Sequence, residues 1–280
     1  MKIGVIDVGG GLRGIYATGV FDYFLDHHIE MDLCIGVSAG SANVASYIAK
    51  QKKRNYTFYT EYSFRKEYMS LNNFISKGSY IDLDYVYGTL SNTEGESPLD
   101  YPMIMKNPTE MLVVATNAIT GKAVYFDKND LQQNCYDIFK ASSAIPFVCK
   151  PYIIDDIPYF DGALSDPVPI EKAFQYGCDK VILILTKPVD FIRHSKKDKK
   201  IANRIRKRYP NAAESLKKRA ETYNHHVALA KKYEQKGKVL IIAPDDTCGV
   251  DTLTKDKEAL SLLYAQGYQD AQVINKFLNI

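Results

Sequence analysis

The sequence lacks long hydrophobic runs and closely paired cysteines. Its longest apolar runs, at 181–185 and 239–243, fall far short of the roughly 18 residues that a membrane-spanning helix requires, so we expect no transmembrane helix. Asp7 and three glycines interrupt the apolar residues near the N-terminus, so we expect no secretory leader. The five cysteines form no C-x-x-C pair and are odd in number, which predicts a reduced, cytoplasmic chain without a disulfide framework. We expect neither a metal site nor a cofactor.

The net charge is only +3, but the charge is unevenly distributed. Residues 193–238 contain 16 basic and 4 acidic residues, a net of +12, and the rest of the chain carries a net of −9. This asymmetry predicts either a solvated helical surface or a basic face for an anionic partner. The partner that we expect is an anionic membrane, contacted peripherally through Lys196, Lys197, Lys199 and Lys200, and no nucleic acid is expected.

The order of the predicted elements favours an α/β fold with a mainly parallel central sheet between helices. Residues 2–8 form a β-branched run that ends in Gly9-Gly10-Gly11, and a helical pattern follows. A second short apolar stretch at 33–37 precedes another helical pattern at 39–50. Such alternation implies parallel strands that are joined by right-handed crossovers.

The character of the sequence changes beyond about residue 190. Apart from one apolar run, the remaining residues have helical spacing and a basic composition. We therefore predict two domains. The first covers residues 1–190 and carries the motifs described below, and the second is a basic, mostly helical C-terminal extension over residues 191–280 with one strand near 239–243.

The motif Gly36-Val37-Ser38-Ala39-Gly40 lies at a predicted strand-to-helix junction. In a G-x-S-x-G motif the serine occupies a tight, strained turn, and glycines two residues to either side avoid clashes there. The N-terminus of the helix that begins near Ala39 would favour negative charge that develops beside Ser38. We predict that Ser38 is a nucleophile and that Gly36 and Gly40 allow its turn.

A second glycine-rich stretch, Gly9-Gly10-Gly11-Leu12-Arg13-Gly14, also separates a predicted strand from a predicted helix. As a G-x-G-x-x-G motif it fits a dinucleotide-binding loop, with Glu30 or Asp32 as the acidic residue about 20 positions later. Beside a nucleophilic Ser38, the same bare N–H groups fit an oxyanion hole. No G-K-[ST] sequence follows, so a P-loop is excluded. These residues alone leave the other two interpretations open.

A nucleophilic serine requires a base, and the five histidines are poorly placed for that role. His225 and His226 lie in the basic helical segment, where we expect them on a helix surface rather than in a catalytic triad. The remaining candidate is the carboxylate of Asp161, which forms the only Asp-Gly pair of the chain with Gly162. Taken alone, that pair is typical of a hairpin turn.

Other polar residues near these motifs are given structural roles. We interpret Ser142 and Ser143 as caps at the end of a helix that must stop before Pro146. We interpret Asp7 as the cap of the first glycine turn. None of these residues is predicted to touch a substrate.

Three segments together resemble the patatin-like phospholipase family in its bacterial form. They are GGGLRG at 9–14, GVSAG at 36–40 and DGA at 161–163, in this order along the chain. The stretch KASSAIP at 140–146 resembles another part of the family, and the likeness covers roughly residues 3–190. The family often has a glycine where this sequence has alanine at 163, a slight departure.

The resemblance implies an α/β/α fold and a Ser–Asp dyad in which Ser38 attacks an acyl ester carbonyl and Asp161 takes its proton. It also implies an oxyanion hole formed by Gly9-Gly10-Gly11, with Arg13 supporting that loop. No histidine is required. The glycines that complete the three motifs are Gly14, Gly36, Gly40 and Gly162.

The function that this resemblance implies is that of a lipid acyl hydrolase, a phospholipase-type serine esterase whose substrate is a lipid or another acyl ester. An acyltransferase stays open, because an acyl group on Ser38 can pass to an alcohol instead of water. A non-catalytic lipid-binding module and a nucleotide-binding protein are the alternatives from other classes.

Overall fold

The computed structural model describes residues 1–279, in which one mixed sheet of eight strands carries helices on both faces. The strands are β1 (Ile3–Asp7), β2 (Leu33–Val37), β3 (Glu110–Asn117), β4 (Ala123–Phe126), β5 (Tyr152–Ile154), β6 (Ile157–Asp161), β7 (Lys180–Ile184) and β8 (Val239–Ile242). Their spatial order is β5-β6-β3-β2-β1-β7-β8, and β4 also pairs with β3.

Five neighbouring strands, β3-β2-β1-β7-β8, run parallel. Val5 at the centre of β1 pairs with Cys34 of β2 on one side and with Ile182 of β7 on the other. Antiparallel pairing is confined to the β3 side of the sheet, where β4 and β6 pair with β3 and β5 pairs with β6. The predicted α/β fold with a mainly parallel sheet is confirmed.

Eleven α-helices connect and cover the strands within residues 1–279. They are α1 (Ile15–Asp26), α2 (Ala39–Ile48), α3 (Arg54–Thr60), α4 (Leu71–Lys77), α5 (Tyr101–Lys106), α6 (Asp137–Ser143), α7 (Ile170–Gln175), α8 (Lys196–Ile205), α9 (Pro210–Glu234), α10 (Lys257–Asp270) and α11 (Ile274–Leu278). Short 3₁₀ turns cover Gly11–Gly14 and Gly162–Leu164, and a π-helical segment covers Tyr85–Leu90. In the described part of the chain, none of these helices is long and apolar enough to cross a bilayer.

Alternate residues of the buried strands enter two separate cores, one on each face of the sheet. Val5 packs with residues of α1, α2 and α10 on one face. Its neighbour Ile6 packs with residues of α7 and α9 on the other face. Because successive side chains of a strand point to opposite faces, a continuous apolar strand serves both cores at once. The result is the expected arrangement of helix, sheet and helix layers.

The residues beyond 190 contribute directly to the sheet and to its covering layers. β8 pairs in parallel with β7, and the apolar stripe of α9 that includes Tyr223, Val227 and Ala230 packs on the sheet. The basic side chains of this region are therefore left on the outer surface or between elements. In the described chain, one sheet includes strands from both sides of residue 190.

Helices α1 and α10 cross with their backbones nearly in contact. A Cβ on Gly19 would lie within 3.0 Å of the carbonyl of Tyr264, and a Cβ on Gly267 would lie equally close to the carbonyl of Tyr16. The Tyr264 hydroxyl also donates to Asp22 across the crossing at 2.8 Å. This crossing therefore requires two residues without side chains.

We predict that Gly267→Ala lowers the free energy of unfolding by about 2 kcal/mol, because the added methyl group forces the helices apart. Alanine is otherwise the better helix former, so propensity alone would change stability in the opposite direction. Urea unfolding followed by circular dichroism measures the difference. Gly88→Ala is the matched control, since a Cβ there meets no atom within 4 Å. Equal stability of the two variants would contradict the close crossing.

Candidate active site

Ser38 occupies the sharp turn between β2 and α2. Its backbone has a φ of 57° and a ψ of −129°, a conformation that non-glycine residues rarely adopt, and only 6% of the residue is exposed. A Cβ on Gly36 would lie within 3.0 Å of the backbone of α2, and a Cβ on Gly40 would lie equally close to the backbone of Asp7. Both motif glycines are therefore needed for this turn.

Ser142 holds the turn of Ser38 in place. The N–H of Ser38 donates to Oγ of Ser142 at 2.9 Å, and the Ser142 hydroxyl donates to the carbonyl of Val114 at 2.6 Å. These two hydrogen bonds tie the turn to α6 and β3. The sequence predicts only a role at a helix end for Ser142, because its partner lies 104 residues away and no local pattern indicates the contact.

Asp161 lies at the end of β6, where its buried carboxyl group shares a cavity wall with Ser38. Burial raises the pKa of this carboxyl group, whereas the neighbouring hydroxyl group of Ser38 and the N–H of Ala163, which donates to Asp161 at 2.8 Å, lower it. A Cβ on Gly162 would lie within 3.0 Å of the carbonyl of Val114, so the turn after Asp161 rests directly on β3. The Asp-Gly pair thus opens a 3₁₀ turn against the sheet instead of a hairpin.

The glycine loop has three consecutive residues with positive φ, at 65° for Gly9, 130° for Gly10 and 63° for Gly11. All three line the cavity that contains Ser38. The N–H of Gly9 donates to Oδ1 of Asp7 at 2.8 Å, so it is already engaged within the loop. Our expectation of three oxyanion donors is therefore reduced to two candidates, the N–H groups of Gly10 and Gly11.

The carboxylate of Asp7 joins the glycine loop to α2. Its second oxygen accepts a hydrogen bond from Nδ2 of Asn43 at 2.8 Å, and Asn43 also donates to the carbonyl of Gly14 at 3.0 Å. Burial raises the pKa of Asp7 to about 6, although the hydrogen bonds from Asn43 and Gly9 lower it. Asp7 therefore holds the first turn, as the sequence predicts, and is in addition a positioning residue for the whole loop.

Arg13 supports the glycine loop through residues from the C-terminal part of the chain. It is 7% exposed, forms an ion pair with Asp251 and donates to Oγ1 of Thr252 at 3.0 Å. The carbonyl of Thr252 accepts the N–H of Leu12 at 3.0 Å. The loop is thus held from a segment that the sequence analysis assigned to a separate domain.

Two cavities, each of about 780 Å³ including their open mouths, meet at Ser38. The first is mostly apolar, and the side chains that line it include Phe58, Ile81, Leu83, Val86 and Leu90. The second contains Asp161 and the glycine loop and is lined by cationic side chains, which are Arg13, Lys187, Arg193 and Arg219. Ser38 therefore has an apolar space on one side and a positively charged space on the other.

The structure argues against the histidine and nucleotide interpretations. No histidine lines either cavity in residues 1–279, and His226 lies beside Asp166 with its Nδ1 3.4 Å from Oδ1. Asp32 accepts the N–H of Ile3 at 2.7 Å, so it lies at the end of β1 opposite the glycine loop. Within the described residues, no group of three or more His, Cys, Asp and Glu side chains is arranged to hold a metal ion.

The parallel sheet, the strained serine turn and the adjacent glycine loop define an α/β protein with a strained strand-to-helix turn beside a glycine-rich loop. The sequence model of the family described as patatin-like phospholipase matches residues 8–174, and the chain belongs to this family. The model of a domain of unknown function, DUF6363, matches residues 209–277.

The known proteins that are similar to this chain include a curated bacterial protein and one of known structure. The uncharacterized protein YjjU of Escherichia coli (strain K12) is 30% identical over 200 residues, which are 67% of this chain and 52% of YjjU. The crystal structure of VipD from Legionella pneumophila superposes with a TM-score of 0.50 at 14% identity, over 99% of this chain and 66% of that chain. The chain thus spans about half the length of the first relative and just under two thirds of the second, and the likeness to VipD concerns the fold alone.

We predict that Ser142→Ala lowers kcat for ester hydrolysis by about tenfold or more, because a misplaced nucleophile loses its alignment with the substrate. The variant leaves the N–H of Ser38 without its partner, which costs about 1–3 kcal/mol of stability. Steady-state kinetics and urea unfolding measure the two effects. Ser76→Ala is the control, since the Ser76 hydroxyl bonds only within α4. An unchanged kcat in Ser142→Ala would show that the turn holds itself.

Proposed function

We propose that this protein is a lipid acyl hydrolase in which Ser38 and Asp161 form a catalytic dyad. The observation that carries the proposal is the pairing of the strained, buried Ser38 with the buried carboxyl group of Asp161 at the wall of one cavity. The membership of the patatin-like phospholipase family supports the class of substrate. Neither a histidine nor a metal ion is part of the proposed reaction.

The proposed reaction begins when Asp161 takes the proton of the Ser38 hydroxyl as its oxygen attacks the ester carbonyl. The N–H groups of Gly10 and Gly11 and the N-terminus of α2 stabilise the negative charge on the former carbonyl oxygen. The alcohol leaves with the proton from Asp161, and an acyl group stays on Ser38. Water, deprotonated by Asp161, then attacks this acyl-serine, and Asp161 returns the proton to the oxygen of Ser38 as the bond to the acyl group breaks and the acid is released.

The burial of Asp161 suits it to the role of general base. Because burial raises the pKa of its carboxyl group, the carboxylate is a stronger base than that of an exposed aspartate. The apolar cavity at the other side of Ser38 offers a place for the acyl chain, and the chain's burial there would supply binding energy. The acyl group and the leaving alcohol would then lie in different cavities.

Peripheral contact with an anionic membrane stays a prediction, as does a cytoplasmic location. The lysines expected to make that contact, Lys196, Lys197, Lys199 and Lys200, are exposed on α8. Phospholipid is presented at an interface, and each such charge near an anionic bilayer contributes about 1 kcal/mol.

Ser38→Ala and Asp161→Asn should each abolish hydrolysis of a short activated ester, since one removes the nucleophile and the other its base. Loss of a general base costs about 10²–10⁴-fold. A fluorophosphonate probe should label Ser38 in the wild type, and mass spectrometry of the labelled peptide locates the adduct. Full activity of a folded Ser38→Ala variant would falsify the proposed mechanism.

The control for this experiment is the pair His225→Ala and His226→Ala, which should stay within about twofold of the wild type. Loss of about 10³-fold in either variant would mean that a histidine is the base. The products separate the remaining alternatives. Transfer of the acyl group to an added alcohol in preference to water indicates an acyltransferase, and lipid binding without turnover indicates a binding module.

We predict that kcat/KM falls at acid pH with an apparent pKa above the usual aspartate value of about 3.9, because Asp161 must be ionised to act as base. Protonation of Asp7, whose pKa is about 6, releases the N–H of Gly9 and adds to the loss.

The fold should persist while this activity is lost. The folded pKa of Asp7 lies above its unfolded value, so the stability contributed by this group rises as the pH falls from about 6 towards 4. A pH–rate profile and near-ultraviolet circular dichroism over the same range separate the two effects. Coincident loss of activity and of tertiary signal would contradict the assignment to Asp7 and Asp161.

A further inference from the structure

Four cationic side chains converge on the cavity that contains Asp161. They are Arg13, Lys187, Arg193 and Arg219. Three of them follow β7 and lie outside the stretch that matches the patatin-like phospholipase model, and Arg219 lies within the match to the domain of unknown function. The region with no assigned function therefore supplies charge to the wall of the candidate active site.

The carboxylates near this cluster are too few to balance it. The buried Asp198 is hydrogen-bonded by Nε of Arg219 at 3.0 Å and also contacts Nε of Arg193 at 3.4 Å. Asp251 pairs with Arg13. Even if Asp161 is ionised, only three carboxylates, those of Asp161, Asp198 and Asp251, face the four positive side chains. Asp198 and Asp251 already form ion pairs with the arginines.

Two hydrogen-bond donors of the cluster, on Arg13 and Lys187, have no hydrogen-bond or ion-pair partner in the described chain. Nε of Arg13 is buried and has no hydrogen-bond partner within residues 1–279, although the residue is 93% buried. The Lys187 ammonium forms no ion pair in the same residues and lies 4.2 Å from the centre of the Phe191 ring. Burying Nε of Arg13 without a partner is costly, so its presence beside the half-buried ammonium group of Lys187 points to an anion that binds both.

The positive charges of the cluster also repel one another. Burial lowers the pKa of Lys187 and of Arg193, and the repulsion from Arg13 and Arg219, respectively, adds to the effect. A bound anion would relieve both. The planar guanidinium groups of Arg13 and Arg193 offer the paired donors that match phosphate oxygens.

We propose that this cavity binds a phosphate monoester on the leaving alcohol, so that the enzyme prefers acyl esters with an anionic headgroup over zwitterionic ones. The proposal rests on the proposed function, since it places the acyl chain in the apolar cavity and the alcohol in the charged cavity, with Ser38 between them. A zwitterionic headgroup carries a quaternary ammonium, which binds to carboxylates or to the faces of aromatic rings. Among the described residues that line this cavity, Asp161 is the only carboxylate, and Lys187 already covers the ring of Phe191.

Three soluble short-chain substrates test the preference without a membrane. They are dibutyryl glycerol, dibutyryl glycerol 3-phosphate and the corresponding phosphocholine ester. We expect kcat/KM of the wild type to be at least about tenfold higher for the phosphate monoester than for the phosphocholine ester, because charge-assisted hydrogen bonds to phosphate are strong.

Lys187→Gln and Arg193→Gln should each reduce this ratio on the order of tenfold. Lys187 has no ion-pair partner in the described chain, so its variant should fold normally, and circular dichroism checks both variants. Arg219 is not substituted, because its loss would leave the buried Asp198 without its main partner. Lys207→Gln and Arg206→Gln are charge-matched controls on the exposed surface, and the ratio should not change in them.

The outcomes distinguish the two proposals. Equal kcat/KM for the phosphate and phosphocholine esters, or an unchanged ratio in the Lys187 and Arg193 variants, overturns the headgroup preference and leaves a hydrolase active on dibutyryl glycerol. Competitive inhibition by inorganic phosphate without any preference among the esters also overturns it, because the cluster then binds free phosphate. A wild type that hydrolyses none of the three esters contradicts the proposed function and this inference together.

Discussion

The candidate active site depends on one steric constraint, the direct contact of backbone with backbone at the carboxyl ends of β1 and β2. A side chain at Gly9 would collide with the carbonyl of Val37, and one at Gly40 would collide with Asp7. Because Gly9 and Gly40 have no side chains, the backbone of the glycine loop packs directly against the backbone of the serine turn. The N–H groups of the glycine loop and the hydroxyl group of Ser38 are thereby held closer together than side chains at these glycines would allow, which is the arrangement that the proposed reaction requires.

Electrostatics then adjust what this packing brings together. Burial raises the pKa of Asp7. One of its oxygens accepts a hydrogen bond from the glycine loop, and the other accepts one from Asn43 of α2. Asp161 is buried in the same way, but one of its neighbours is a hydroxyl group that can give up a proton. Two carboxyl groups of similar burial thus have different surroundings, because both oxygens of Asp7 accept N–H donors, whereas Asp161 accepts the N–H of Ala163 and also faces the cavity.

Much of the fold could be predicted because its signals are local. Apolar runs such as those around Val5 and Ile182 predict buried strands. Glycines at fixed spacing predict the turn at Ser38 and the glycine loop. Asp161 was different. Its local pattern is typical of a hairpin, and only the joint occurrence of three motifs indicated otherwise, before the structure brought it beside Ser38.

The contacts that could not be predicted join residues far apart in the sequence. Ser142 reaches Ser38 across 104 residues, and the side chain of Arg219 reaches the cavity from the middle of a helix whose pattern indicates only a basic surface. The engagement of the Gly9 N–H by Asp7 is a matter of side-chain geometry that no spacing rule describes. Sequence patterns predict helices, strands and turns. Contacts between residues far apart in the sequence depend on how those helices, strands and turns pack together.

Because Thr252 anchors the glycine loop, the loop can be completed only late in the synthesis of the residues described here. Synthesis runs from the N-terminus, so Ser38 and Asp161 emerge from the ribosome long before residues 251 and 252. Until those residues arrive, the N–H of Leu12 and the guanidinium of Arg13 lack the partners that anchor the loop. A nascent chain that has not reached residue 251 therefore carries Ser38 and Asp161 beside a glycine loop without its anchors, and the cavity wall is complete only after residues 251 and 252 have been made.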